Sequence, residues 1–287
     1  MNINGKRILV TGSSGFVGKN LVVELKRHNV EVINLTDPEG NRIDVRDWQK
    51  IKEIADIDMV YHLAAITYVP FSFENPRETY DVNVLGTLNI LELCRLRNVE
   101  KIVFVSSYVY GQPRYLPIDE EHPVQPTNPY MRSKVFGEEL CRAYNNDFGI
   151  KCIILRPFNI YGVGQSGDFL IPSIISQLQD GKVILKDPEP KRDYIFISDL
   201  ISALIKVEKF NRGFEIFNIG YGKSYSVKEI VELIVQLNGK EVKINYKNER
   251  RKNEIMDVVA DIRKAKEKLG WEPKININDG LKRCVYH

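Results

Sequence analysis

Cysteine is scarce in this chain, and the little it has follows no pattern. The four are Cys94, Cys141, Cys152 and Cys284, and their spacing fits neither a metal-ligand set nor a disulfide framework. Read as reduced and mostly buried thiols, they imply no metal site and a cytoplasmic location. No apolar run approaches about 18 residues, so no membrane span is expected. The chain opens Met1-Asn2-Ile3-Asn4-Gly5-Lys6-Arg7 and runs straight into a strand-like segment, which leaves no space for a signal peptide. An excess of one charge sign is missing too. With 41 Lys and Arg against 38 Asp and Glu, the net charge is only +3, too small to suggest a nucleic-acid partner. Internal repeats and low-complexity linkers are also absent.

What is present is an ordinary globular composition, 43% hydrophobic and 28% charged over 287 residues. That length supports a substantial core in one large domain or two closely joined ones. Strand-like and helix-like segments alternate through the first half. Strands are expected at 6–11, 30–35, 42–45, 59–63, 101–105 and 151–155, and helices at 17–27, 76–96 and 128–146. The last helix opens with Asn128 as N-cap and Pro129 at the first helical position. Such alternation implies right-handed βαβ crossovers and an α/β fold with a doubly wound parallel sheet of Rossmann type. Beyond Pro157 the pattern loosens, with a strand at 193–197 and a helix at 227–237. The expected organisation is a dinucleotide-binding domain over 1–160 and a smaller, mainly substrate-binding region over 161–287. Part of 192–220 is expected to return to the main sheet.

The first strand leads into Thr11-Gly12-Ser13-Ser14-Gly15-Phe16-Val17-Gly18. Glycines at this spacing allow a tight turn, close approach of backbone to a pyrophosphate and close packing of helix on strand. The helix N-terminus then offers free N–H groups and the positive end of its dipole. An acidic residue about 20 positions on should hold the adenosine ribose. Asp37 lies near that place, one residue after Thr36, and a turn carboxylate beside Pro38 is its other reading. No Arg or Lys follows the strand before Arg42, which favours NAD over NADP. Asp44 and Val45 are expected near the adenine.

Tyr130-Met131-Arg132-Ser133-Lys134 carries the chemistry. Residues i and i+4 share a helix face, so Tyr130 and Lys134 project together. A free phenol titrates near about 10 and is only about one part in a thousand ionised at neutral pH. Bringing that to about 7 needs about 4 kcal/mol, which an ammonium group and a cofactor cation in a closed cleft can supply. Ser106 ends the fifth expected strand, at the carboxyl edge where such sheets bind ligands.

Together these stretches resemble the NAD-dependent epimerase/dehydratase family of extended short-chain dehydrogenases. The resemblance runs in order through Thr11 to Gly18, His62-Leu63-Ala64-Ala65, Asn83 with Gly86-Thr87, Ser106 to Gly111, Tyr130 to Lys134 and Arg156 to Gly162. It continues through Arg192-Asp193-Tyr194 to Ser198-Asp199, Phe217 to Gly220, and Ala260-Asp261 to Leu269-Gly270-Trp271. It implies a catalytic centre of Ser106, Tyr130 and Lys134. Implied cofactor contacts are Gly12, Ser14, Gly15, Phe16, Val17, Gly18, Asp37, Asp44, Val45, Leu63, Ala64, Ala65, Asn83, Tyr130, Lys134 and Pro157. Implied substrate contacts are Thr67, Ser106, Ser107, Tyr130 and Asn159, with Arg192 and Arg251 on the diphosphate. A solvated basic run is the plainer reading of Arg250-Arg251-Lys252. The two long helices resemble those that pair in a homodimer of the family, although their apolar residues could equally face their own sheet.

Dehydratases of the family carry an Asp-Glu pair directly after the catalytic Ser or Thr, and decarboxylases a glutamate at the second place. Here Ser107 and Tyr108 stand there, so elimination is disfavoured. The expected reaction is 4-epimerisation of a nucleotide-sugar, most simply a UDP-hexose, by transient oxidation with bound NAD. The alternatives are an NAD(P)H-dependent reductase of a 4-keto-6-deoxy nucleotide-sugar, then a dehydratase, then a non-catalytic dinucleotide-binding protein. Members of that last class usually lack the tyrosine or lysine kept here.

Overall fold

Residues 3–37, 39–250 and 254–286 are described by a computed structural model. The first half alternates strongly. In order come β1 (Arg7–Thr11), α1 (Phe16–Arg27), β2 (Glu31–Asn34), α2 (Trp48–Ile51), β3 (Met59–His62), α3 (Val69–Glu74), α4 (Pro76–Tyr80), a π-helical stretch (Asp81–Leu85), α5 (Gly86–Leu96), β4 (Lys101–Val105), α6 (Pro129–Phe148) and β5 (Lys151–Pro157). The second half has shorter strands: β6 (Asn159–Tyr161), α7 (Leu170–Gln177), β7 (Lys182–Leu185), β8 (Lys191–Phe196), α8 (Ile197–Lys206), β9 (Phe214–Ile219), β10 (Ser224–Ser226), α9 (Val227–Asn238), β11 (Lys243–Tyr246), α10 (Arg263–Leu269) and α11 (Ile277–Val285).

Six strands form one parallel sheet in the order β2-β1-β3-β4-β5-β9. β3 and β4 are buried on both faces, which is why they read as unbroken apolar runs. Alternate residues enter opposite cores. Val10, Tyr61, Val103 and Ile153 pack with Leu21, Leu25 and Leu204 on one face. Leu9, Val60, Phe104 and Ile154 pack with Ile90, Leu93 and Cys141 on the other. Side chains of this size each contribute about 2 kcal/mol when fully buried. Because β1 has β2 on one side and β3 on the other, the winding direction switches there. A crevice opens at the carboxyl ends of these strands, where ligands of such sheets lie.

The doubly wound parallel sheet is as the sequence implies, and Asn128 caps α6 through Met131 N at 2.8 Å with Pro129 next. Part of 192–220 does return, since β9 pairs with β5 in parallel. β8 does not; it lies in a separate sheet, β10-β8-β6. Two expected elements differ. Residues 42–45 form no strand, only a single antiparallel bridge from Arg42 to Thr36. Asp44 instead organises a turn, taking Arg46 N on its carboxylate and Asp47 N on its carbonyl, an Asx-type arrangement that wins over a short strand. The helix expected over 76–96 is divided by the π-helical stretch. No described helix is long and apolar enough to cross a membrane.

Candidate active site

The crevice is floored by the glycine turn between β1 and α1. Gly12 has φ +68°, and a Cβ there would lie 2.8 Å from Ala64 N. A Cβ on Gly18 would lie 2.1 Å from the Gly12 carbonyl oxygen. Both positions need backbone to approach backbone. α1 begins at Phe16 and Val17 with Gly15 as N-cap, no side-chain cap and no acidic residue in its first turn. Its N–H groups and dipole are therefore free for an anion, beside Ser14 in the turn. Leu63, Ala64 and Ala65 follow β3 on the other side of the crevice, and Leu63 N and Ala64 N both donate to Thr11 Oγ1 at 3.1 Å. This cradle fits the pyrophosphate of a dinucleotide.

At the adenosine end the geometry is less simple. Asp37 follows β2, but its carboxylate takes Asn41 N at 2.8 Å and Asn41 Nδ2 at 3.3 Å, with Lys50 Nζ at 3.6 Å. Those partners hold its pKa below the usual carboxylate range against the opposing effect of desolvation. Asp44 is paired with Arg46, and buried Val45 accepts Asn89 Nδ2 on its carbonyl.

Beneath the crevice runs a buried polar chain. His62 Nδ1 lies 2.7 Å from Thr11 Oγ1, and His62 Nε2 lies 3.0 Å from Thr87 Oγ1. Thr87 spends its proton on Asn83 O, so Nε2 must carry the ring proton and Nδ1 accepts from Thr11. Burial, with Lys134 nearby, pushes the His62 pKa down to about 3, so the ring stays neutral. The π-helical turn aims Asn83 at two targets. Its side chain bonds Ile66 N and Ile66 O at 2.8 and 3.0 Å, and Nδ2 donates to Ser133 Oγ at 2.8 Å. Ser133 in turn donates to Tyr130 O. Asn83 thus ties the loop after β3 to the turn that carries Tyr130, the kind of place where π-bulges recur.

On α6, Tyr130, Lys134 and Glu138 stand one turn apart on one face. Lys134 Nζ donates to Val105 O at 2.7 Å and lies 4.7 Å from the Phe104 ring centre. Burial brings its pKa down to about 8 against the pull of Glu138, so it remains an ammonium at neutral pH. Burial lifts the Tyr130 phenol above its ordinary value, while a hydrogen bond from Ser107 acts to lower it. Glu138 is buried and receives Arg156 Nε at 2.9 Å and Nη2 at 2.5 Å. It also accepts the Ser106 hydroxyl at 2.5 Å. Glu138 and Arg156 form a buried ion pair against Ser106 that the sequence reading did not place at the site. The signal was there: Glu138 is four residues beyond Lys134 in the register that made Tyr130 and Lys134 a pair.

On the substrate side, Thr67 and Asn159 are exposed, Asn159 at the start of β6, and Pro157 ends β5. Arg192 donates to Ile255 O and to the Glu254 carboxylate, so a diphosphate would have to compete with Glu254. Arg251 lies outside the described residues. Tyr108 turns away into an aromatic cluster with Tyr110 and Phe158, its hydroxyl donating to Gly111 O.

Residues 8–220 match the NAD dependent epimerase/dehydratase family. The chain belongs to this family. It is 39% identical to a putative UDP-glucose 4-epimerase of Methanocaldococcus jannaschii, over 97% of each chain. It is 32% identical to a GDP-6-deoxy-D-mannose reductase of Pseudomonas aeruginosa, over 98% of this chain and 96% of the other. Two solved structures superpose over 98% of both chains in each case. One is RMD from Pseudomonas aeruginosa complexed with NADPH, at TM-score 0.90 and 31% identity. The other is the Thermus thermophilus UDP-glucose 4-epimerase in complex with NAD, at TM-score 0.88 and 28% identity. NAD is the family's cofactor, and the uncapped start of α1 is where its pyrophosphate fits.

Proposed function

We propose that the chain is a nucleotide-sugar 4-epimerase of the UDP-glucose/UDP-galactose type. The observation that carries this reading is the chemistry around Tyr130. The site holds a tyrosine–lysine pair, while the positions after Ser106 hold a hydroxyl and a phenol tied into an aromatic cluster. With no carboxylic acid there to protonate a leaving hydroxyl, reversible oxidation at a sugar carbon is the reaction left. The name of the 39% identical relative supports the same choice.

In this reading Tyr130 removes the proton of the 4-hydroxyl as general base. Lys134, an ammonium at neutral pH one turn along α6, would stabilise the phenolate that forms. NAD, held by the glycine turn and the uncapped start of α1, would supply a reversible hydride acceptor for C4, so the reaction would need no net oxidant. The ring has to turn over between the two transfers, so the chain must grip the diphosphate more firmly than the hexose. Arg192 suits that task once Glu254 is displaced, since a guanidinium matches phosphate oxygens.

The test is to incubate purified protein with UDP-galactose and no added NAD. UDP-glucose should form, and Tyr130→Phe should abolish its formation while NAD stays bound. Failure to interconvert any UDP-hexose would sink the reading.

One observation favours a second reading, reduction of a 4-keto-6-deoxy nucleotide-sugar with dissociable NADPH. The Asp37 carboxylate is occupied by Asn41 and Lys50, so it does not stand ready to repel a 2′-phosphate. Steady oxidation of added NADPH with such a substrate would select it. In either reading a homodimer through α3–α6 is proposed. Phe73, Leu85, Phe136 and Phe148 are 62%, 43%, 49% and 52% exposed there, an arrangement suited to a two-fold contact.

A further inference from the structure

A single peptide unit lies between the sheet and the Lys134 ammonium. Its carbonyl, Val105 O, takes Lys134 Nζ at 2.7 Å. Its N–H, on Ser106, donates to Leu155 O at 2.8 Å and carries the β4–β5 ladder one residue past the end of β4. The place of this peptide plane therefore sets the place of the ammonium. The Ser106 side chain adds a second hold. It is 2% exposed, and its hydroxyl donates to Glu138 Oε1 at 2.5 Å. Glu138 also takes Arg156 Nε at 2.9 Å and Nη2 at 2.5 Å. The guanidinium lies 4.9 Å from the centre of the Tyr110 ring, and the Tyr110 hydroxyl donates to Asn218 Oδ1 at 2.5 Å. Buried side chains thus join α6, the end of β4, β5 and β9 behind one carbonyl.

Charge adds to the argument. Glu138 stands one turn along α6 from Lys134, on the same face. Burial favours the protonated Tyr130 phenol and Cys141 thiol on that helix, and the neutral His62 ring at the end of β3. Glu138 is left as the counter-charge of the ammonium, and it acts against the desolvation of Lys134. Arg156 keeps its own charge in spite of burial through its bonds to Glu138. A buried ion pair costs so much desolvation that apolar residues of similar volume often serve stability as well. Its place beside Lys134 calls for a reason other than stability.

We propose that Glu138 is a positioning residue: its carboxylate, braced by Arg156, clamps the Val105–Ser106 peptide and balances the charge of Lys134, so that the ammonium stays in place beside Tyr130. This rests on the reading that Tyr130 and Lys134 carry out oxidation of a sugar carbon. Glu138 touches neither sugar nor cofactor and exchanges no proton in the reaction. It acts through Ser106 and through the field at Lys134.

Glu138→Gln alone would leave the Arg156 charge buried and unpaired, a change that can prevent folding, so both charges are removed together. Lys134 is followed by NMR in protein labelled with 13C at the lysine ε carbon, and Lys134→Met identifies its signal. In wild type it should titrate near about 8. In Glu138→Leu combined with Arg156→Met, the titration should fall by about one pH unit. With UDP-galactose, kcat should fall by about a hundredfold while KM stays within about twofold. Glu138→Gln combined with Arg156→Met keeps an acceptor for the Ser106 hydroxyl but no charge. It should recover about tenfold of the lost kcat while the Lys134 titration stays low. The proposal is overturned if the Leu–Met chain keeps both its Lys134 titration and its kcat, since the pair would then only support the fold. It is also overturned if the Gln–Met chain recovers no kcat. The titration needs no sugar, so it still decides the link between Glu138 and Lys134 if no UDP-hexose is turned over and the epimerase reading itself fails.

Discussion

His62 shows how one side chain can be specified by its neighbours alone. Thr11 and Thr87 fix its tautomer, and burial with Lys134 nearby holds its pKa down at about 3. In the unfolded chain it titrates near about 6.5. Between those values the unfolded chain binds a proton that the folded chain excludes. Stability therefore falls as pH drops from about 6.5 towards 3, by up to about 1.4 kcal/mol per pH unit. His62→Gln should flatten this dependence. Denaturant unfolding of both chains between pH 6 and pH 4 checks it, and equal slopes would refute the assignment. In the sequence His62 is simply the end of a strand. Its role became visible only when Thr11 and Thr87, from two other segments, were seen on either side of the ring.

At the scale of elements, the glycine turn and the start of α6 were readable because both are local. Their spacing alone dictates a tight turn in one case and a shared face in the other. Gly18 makes the point testable. An alanine Cβ there would lie 2.1 Å from the Gly12 carbonyl, a backbone atom that cannot step aside without opening the turn. Gly18→Ala should weaken NADH binding at least about tenfold, read by fluorescence titration, for a cost of at least about 1.4 kcal/mol. An unchanged Kd would mean that the turn does not hold the pyrophosphate. The segment 76–96 is the contrasting case. Its apolar periodicity reads as one helix, but five residues in the middle adopt π geometry. That geometry coincides with the Asn83 bonds to Ile66 and Ser133, and those partners lie far away in sequence.

For the whole molecule, α3, α4 and α5 pack on α6 and leave Phe73, Phe136 and Phe148 more exposed than large apolar residues of a core. Phe136 and Tyr80 meet across the helices with ring centres 6.1 Å apart. If a second copy covers this face, Phe136→Asp should convert a dimer to a monomer in light scattering while far-UV circular dichroism stays the same. A wild-type protein that is already monomeric would end the idea. The sequence alone determined the doubly wound sheet, the cofactor turn and the Tyr130–Lys134 face, because each follows from periodicity or spacing within a few residues. Tertiary structure alone decided that the Asp37 carboxylate meets Lys50, that Arg192 meets Glu254, and that Ser106 gives its proton to Glu138. Most of these depend on which distant donor or acceptor reaches a polar atom first, and spacing along the chain carries no record of that.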